Sequence, residues 1–264
     1  MLQSLALAAL SALLLGLGWL FPPLSTLAFF GLWPLLESER RSNAQAVKHP
    51  NLRWLGLAAF FAFVYGLFPW LALSGTVISY LLSAALLTLA LTLFHFVKSY
   101  HGAQRGYISL PFLWLSAEAM PILLNWDVFE SKPLGSLFWL WADAWLNLQA
   151  LGFLGVSLLV LLANLLLFLG LRELLSQKQW PKFALRAILL IGLLIGLTYL
   201  LAHYLPSGDV SRLPYQEGPG ETGLDEGAWY LSRLDRFLAR LSLFLAFFLS
   251  IFAIVRAYLK DRQI

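Results

Sequence analysis

Apolar positions in this chain neither alternate nor keep to one helical face; they run on without interruption. Eight runs stand out, at 4–21, 22–36, 54–73, 77–97, 107–124, 148–171, 185–204 and 238–256. Leu- and Ala-rich runs of this kind favour helix, and about 20 residues of helix cross a hydrocarbon core of about 30 Å. Barrel strands would instead alternate apolar and polar residues over about ten positions. The expected fold is an all-α polytopic membrane protein with about eight transmembrane helices. The 22–36 run is the shortest, and its 15 residues reach about 23 Å as helix. That segment either crosses with little tilt or stops short and re-enters. Pro22 and Pro23 suit its first turn. The opening run has no basic stretch before it and no small-x-small site before FPP, so it reads as a retained helix rather than a signal peptide.

The polar links sort by charge. Residues 37–53, 98–107, 172–186 and the tail carry 13 of the 18 basic residues, among them Arg40, Arg41, Lys48, Arg53, Lys98 and Arg105. The other side holds five: Lys132, Arg212, Arg233, Arg236 and Arg240. The positive-inside rule puts the first set, and with it both termini, in the cytoplasm. If the second segment does not span, only the N-terminus changes side. Two polar stretches then face outward, 125–150 and 205–237, the second with six acidic residues and several Pro and Gly turn-formers. The chain divides into a seven-helix bundle (1–204), a short loop (205–237), and an eighth helix with a basic tail (238–264).

Composition narrows the function. The chain is 60% hydrophobic and 12% charged, about half the charge of a soluble domain, with a mean hydropathy of +0.75. The pI near 9.4 reflects cations at helix ends, as membrane topology requires, so no nucleic-acid partner is expected. There is no cysteine, which removes disulfides, thiolate metal sites and a cysteine nucleophile. His49, His95, His101 and His203 form no metal-binding spacing, and packing or interfacial roles are expected for His95 and His203. No cofactor or metal is expected.

Glu118 is the outstanding residue. It lies within LPFLWLSAEAMPILLNW, and an intramembrane carboxylate is costly enough to be a functional candidate by default; the bland reading is that it fixes packing. Trp114, four residues earlier, shares its helix face. Pro121, three residues later, frees a backbone carbonyl. Asn125, Trp126 and Asp127 follow at the expected outer boundary, and Phe138, Trp139, Trp141 and Trp145 crowd the next stretch. They read as an aromatic belt at headgroup level or, more sharply, as lateral access for a lipid or acylated peptide. In WYLSRLDRFLARL (229–241), leucines recur at helical spacing while Arg233, Arg236 and Arg240 share another face. Those arginines suit headgroup phosphates or an anionic partner.

Three stretches carry a family resemblance. LLLGLGWLFPPLSTLAFFGLWPLL (13–36) resembles the opening of the apolipoprotein N-acyltransferase membrane domain. LPFLWLSAEAMPILLNWDV (110–128) resembles that family's Pro-x-x-Trp-x-x-x-Glu span, and its Asn-Trp-Asp ending is similar to Bacteroidetes-like versions. LNLQALGFLGVSLLVLLANLLLF (146–168) resembles its most specific block, with Gln149, Gly152, Gly155, Ser157 and Asn164 in place as packing residues. The resemblance covers about 1–204 and the last helix, and implies eight spans in a bacterial inner membrane. In that family the seventh and eighth spans flank a periplasmic nitrilase-like domain with a Glu-Lys-Cys triad. Here that link is 205–237, too short for a domain with its own core, and no cysteine exists to carry the triad. The resemblance therefore implies a catalytically inactive, acyltransferase-like subunit binding phospholipid and lipoproteins, with other membrane or periplasmic subunits as partners. Two alternatives stand beside it: the membrane half of a split acyltransferase whose nitrilase chain is supplied in trans, and a structural subunit of an unrelated membrane complex.

Overall fold

The computed structural model describes residues 2–44, 50–73, 76–123, 133–141, 152–177 and 233–261. They form seven α-helices: α1 (Leu2–Leu20), α2 (Trp33–Ala44), α3 (Pro50–Leu73), α4 (Val77–His101), α5 (Ala103–Leu123), α6 (Gly152–Gln177) and α7 (Arg233–Asp261). Two 3-10 segments, Pro22–Phe29 and Leu134–Trp141, complete them, and no strand occurs among the described residues. The expected seventh span (185–204) and the 205–237 loop up to residue 232 lie outside the described residues.

Five helices among the described residues are long and apolar enough to cross a membrane: α1, α3, α4, α6 and α7. Helix α5, which holds Glu118, Pro111 and Pro121, falls outside that set. The exposed faces are apolar: Leu55, Phe60, Phe63, Leu67 and Leu71 on α3, and Phe244, Phe247, Phe248, Ile251 and Phe252 on α7. Such faces suit hydrocarbon, where no polar coat is needed.

The second segment corrects the sequence reading. Residues 22–36 are not one helix. Pro22 and Pro23 open a 3-10 turn, which ends at Phe29, and a regular helix resumes only at Trp33. The combined stretch still runs back along the whole of α1. Ser25 lies against Gly18, where a Cβ would sit 2.8 Å from the Ser25 Cα. The Ser11 hydroxyl donates to the Gly31 carbonyl, and the Ser38 hydroxyl donates to the Ser4 carbonyl at 3.2 Å. Eight residues of 3-10 helix rise about 16 Å and twelve of α-helix about 18 Å, enough to retrace α1.

Around this pair, α1 packs on α3, α3 on α4, α4 on α5, and α5 on both α6 and α7. Thr76 caps α4 by accepting from the Ser79 amide at 3.2 Å, and Gly102, at φ +90°, is the entire link from α4 to α5. The expected 98–107 link is therefore almost wholly helical. Aromatic rings fill the core: Trp54, Phe94, Tyr107, Trp114 and Phe168 are fully buried. Trp54 Nε1 donates to the Leu91 carbonyl at 2.9 Å, tying α3 to α4.

Candidate functional site

Glu118 stands where three elements meet. On α5 itself, Trp114 Nε1 donates to Glu118 Oε1 at 2.7 Å, as the four-residue spacing predicts. The same oxygen accepts from the Leu134 amide at 2.8 Å, across to the second 3-10 segment. The Ser157 hydroxyl on α6 hydrogen-bonds the carboxylate and accepts from the Gly135 amide at 2.8 Å. Gly135 is required there: a Cβ would strike the Phe153 carbonyl and lie 2.8 Å from the Ser157 amide. Behind the carboxylate, Tyr65 packs on Trp114 with ring centroids 6.0 Å apart, its buried hydroxyl facing the Trp19 indole N–H and finding no acceptor.

The first N–H groups of a helical segment have no partner within it. In this segment those of Leu134 and Gly135 find one in Glu118 and Ser157. The arrangement fastens a peptide segment inside an apolar bundle, where irregular backbone survives only if its polar groups are met.

Asn164, seven residues after Ser157 on α6, does the same for the first broken segment. Its Oδ1 accepts from the Leu32 amide at 2.7 Å, and its Nδ2 donates to the Ala28 carbonyl at 2.7 Å and to the Val160 carbonyl at 2.9 Å. Seven residues of helix return to nearly the same face about 10 Å away, so one stripe of α6 holds both 3-10 segments. These touch each other through Phe29 and Phe138, whose ring centroids are 5.3 Å apart. The remaining motif residues Gly152, which starts α6 at φ +69°, and Gly155, which is buried, lie on the same helix.

Trp139 and Trp141 lie on the second 3-10 segment. Arg233 begins α7, and Arg236, one turn on, is exposed. Asn125, Trp126, Asp127, Trp145 and Gln149 lie outside the described residues.

One cluster escaped the sequence reading. Glu39 on α2, placed there in a polar link, is wholly buried. Its Oε1 lies 3.0 Å from His95 Nδ1, and its Oε2 pairs with Lys98 Nζ. Trp54 stacks on the His95 ring at 5.5 Å, and Lys98 Nζ sits 4.7 Å over the Tyr107 ring. The legible signal was the three-residue spacing of His95 and Lys98, which share a face of α4. Nothing in the run ESERR marked Glu39 as buried.

On the same helix, outside the apolar run, Glu37 accepts from Arg40 at 2.7 and 2.8 Å and from Arg41 at 2.7 Å. The Arg40 hydrogen bonds, with help from Arg41, hold its carboxyl at about 2, below the usual 4.5. A depressed folded-state value adds stability that is full above pH 4.5 and is lost as pH falls toward 2. The arginines are half exposed, at 47%, so the effect is expected to be about 0.3–0.5 kcal/mol. Glu37→Gln should flatten the stability slope between those pH values, read by acid titration of the helical circular dichroism. An unchanged slope would place the acid sensitivity elsewhere.

No family model, curated protein or solved structure matches the chain.

Proposed function

We propose that this chain is a non-catalytic, acyltransferase-like scaffold of a bacterial inner-membrane envelope complex, presenting an aromatic rim to phospholipid and lipoproteins. The observation that carries this reading is the fastening of the Trp-bearing segment Leu134–Trp141 by Glu118 and Ser157. A carboxylate used to accept from an indole and a peptide amide positions a surface rather than reacting. The stretch it positions holds Phe138, Trp139 and Trp141, rings suited to the acyl-headgroup boundary.

The reading is tested by mild-detergent purification from native membranes and mass spectrometry of what co-purifies. Lipoproteins or envelope subunits at fixed stoichiometry support it. A stoichiometric cysteine-bearing nitrilase-like chain would replace it with the split acyltransferase, and a complex unrelated to lipoproteins with the structural-subunit reading. Within that assay, Glu118→Ala leaves the Trp114 and Leu134 donors without their acceptor, at about 1–3 kcal/mol each, and is expected to release the partners. Glu118→Gln keeps one carbonyl oxygen and should retain them. Loss in both variants would mean that the charge, not the positioning, is what matters.

A further inference from the structure

A cavity of about 50 Å³ lies between α3 and α4, lined by Tyr65, Gly66, Pro69, Trp70, Ser79 and Tyr80 among others. Two of its lining residues carry buried donors without an acceptor, the Tyr65 hydroxyl, which faces the Trp19 indole N–H, and Trp70 Nε1. Most buried donors find an acceptor, so two unmet donors on residues lining one small cavity call for a ligand. The Tyr80 hydroxyl is already engaged with the Phe63 carbonyl at 2.9 Å. Gly66 keeps the space open, since a Cβ there would lie 3.2 Å from the Tyr80 ring.

The lining fixes the chemistry of the occupant. No charged residue lines the cavity, so the group it takes is uncharged. An indole N–H only donates, so that group must accept. At roughly 10–15 Å³ for each water-sized group, the space admits a carbonyl and its immediate neighbours, not a headgroup. The same stretches of α3 and α4 expose Leu67, Leu71, Val77, Ile78 and Leu81, an apolar surface suited to a hydrocarbon tail.

We propose that this cavity binds the carbonyl oxygen of an amphipathic lipid, with the Tyr65 hydroxyl and Trp70 Nε1 as its donors. Two lipid classes supply such an oxygen: glycerolipid esters and quinones. The site adjoins the Glu118 cluster through Tyr65, which packs on Trp114, but it does not rest on the scaffold reading.

The full chain in detergent, offered diester phosphatidylglycerol, its diether analogue, or a decyl-quinone, separates these cases by native mass spectrometry. The two phosphatidylglycerols differ only in the carbonyls. Retention of diester over diether by about fivefold, as one net hydrogen bond would give, supports the ester. Equal retention of both, with the decyl-quinone bound, supports the quinone. Trp70→Phe and Tyr65→Phe, checked as monodisperse on size exclusion, should abolish the diester preference in the first case and the decyl-quinone binding in the second. Equal retention of diester and diether with no decyl-quinone bound overturns the proposal. So does a preference that survives both substitutions.

Discussion

Asn164→Leu is expected to destabilise the bundle by about 1–3 kcal/mol. The side chain it replaces meets the Leu32 amide and the Ala28 carbonyl at 2.7 Å each. Each group left buried and unpaired costs about 1–3 kcal/mol. Hydrogen bonds between side chains in membrane bundles measure smaller, about 0.6 kcal/mol, because an unfolded segment in lipid finds other partners. Here one partner, the Leu32 amide, lies at the break between Phe29 and Trp33, where the helical ladder offers it nothing, while the Ala28 carbonyl keeps the Gly31 amide at 3.3 Å. The larger figure should therefore prevail in a detergent unfolding titration. The alternative is that the segment rewinds into regular helix and satisfies itself. Stability would then be nearly unchanged while Phe29 left Phe138. Because the chain has no cysteine, a Phe29→Cys, Phe138→Cys pair reports that contact cleanly by disulfide trapping. Wild-type stability together with wild-type trapping would show that Asn164 does not hold the break.

Glu39→Leu is expected to cost about 3–5 kcal/mol, the usual penalty for leaving one partner of a buried ion pair alone. Glu39 is fully buried and Lys98 only 9% exposed, so Lys98 cannot recover hydration without opening the α2–α4 contact. His95 would lose its Nδ1 partner while its Nε2 has none already. The diagnostic result is the double variant Glu39→Leu, Lys98→Met. Burying two charges costs about as much as their attraction returns, so an apolar pair of similar volume is commonly neutral or better. Recovery to within about 1 kcal/mol of wild type would locate the whole penalty in the orphaned Lys98 ammonium. No recovery would show that His95 depends on the carboxylate in its own right.

The helices were legible where lipid alone selects the residues. The runs at 4–21, 54–73, 77–97 and 238–256 coincide, within a few residues, with α1, α3, α4 and α7. Their ends were less legible, because helix continues past the apolar runs: α4 extends to His101 and α6 to Gln177. The contact between Trp114 and Glu118 was also readable, because four residues of helix bring them together whatever surrounds them. What Glu118 and Asn164 do was not. Leu134 is 16 residues from Glu118, and Leu32 is 132 from Asn164, and no periodicity encodes such distances.

The sequence by itself determined that this chain is helical, apolar over several lengths sufficient to cross a membrane, without cysteine, and basic at particular helix ends. Those properties follow from residue type and local spacing, which the chain carries in linear order. Only the tertiary structure decided that residues 22–44 break into 3-10 and α segments, and that one face of α6 secures both broken segments. It also decided that Glu39 is buried against His95 and Lys98 rather than solvated. The physical reason is common to all three. A polar group in an apolar bundle is tolerated only where a partner meets it, and the partner is chosen by how the helices pack.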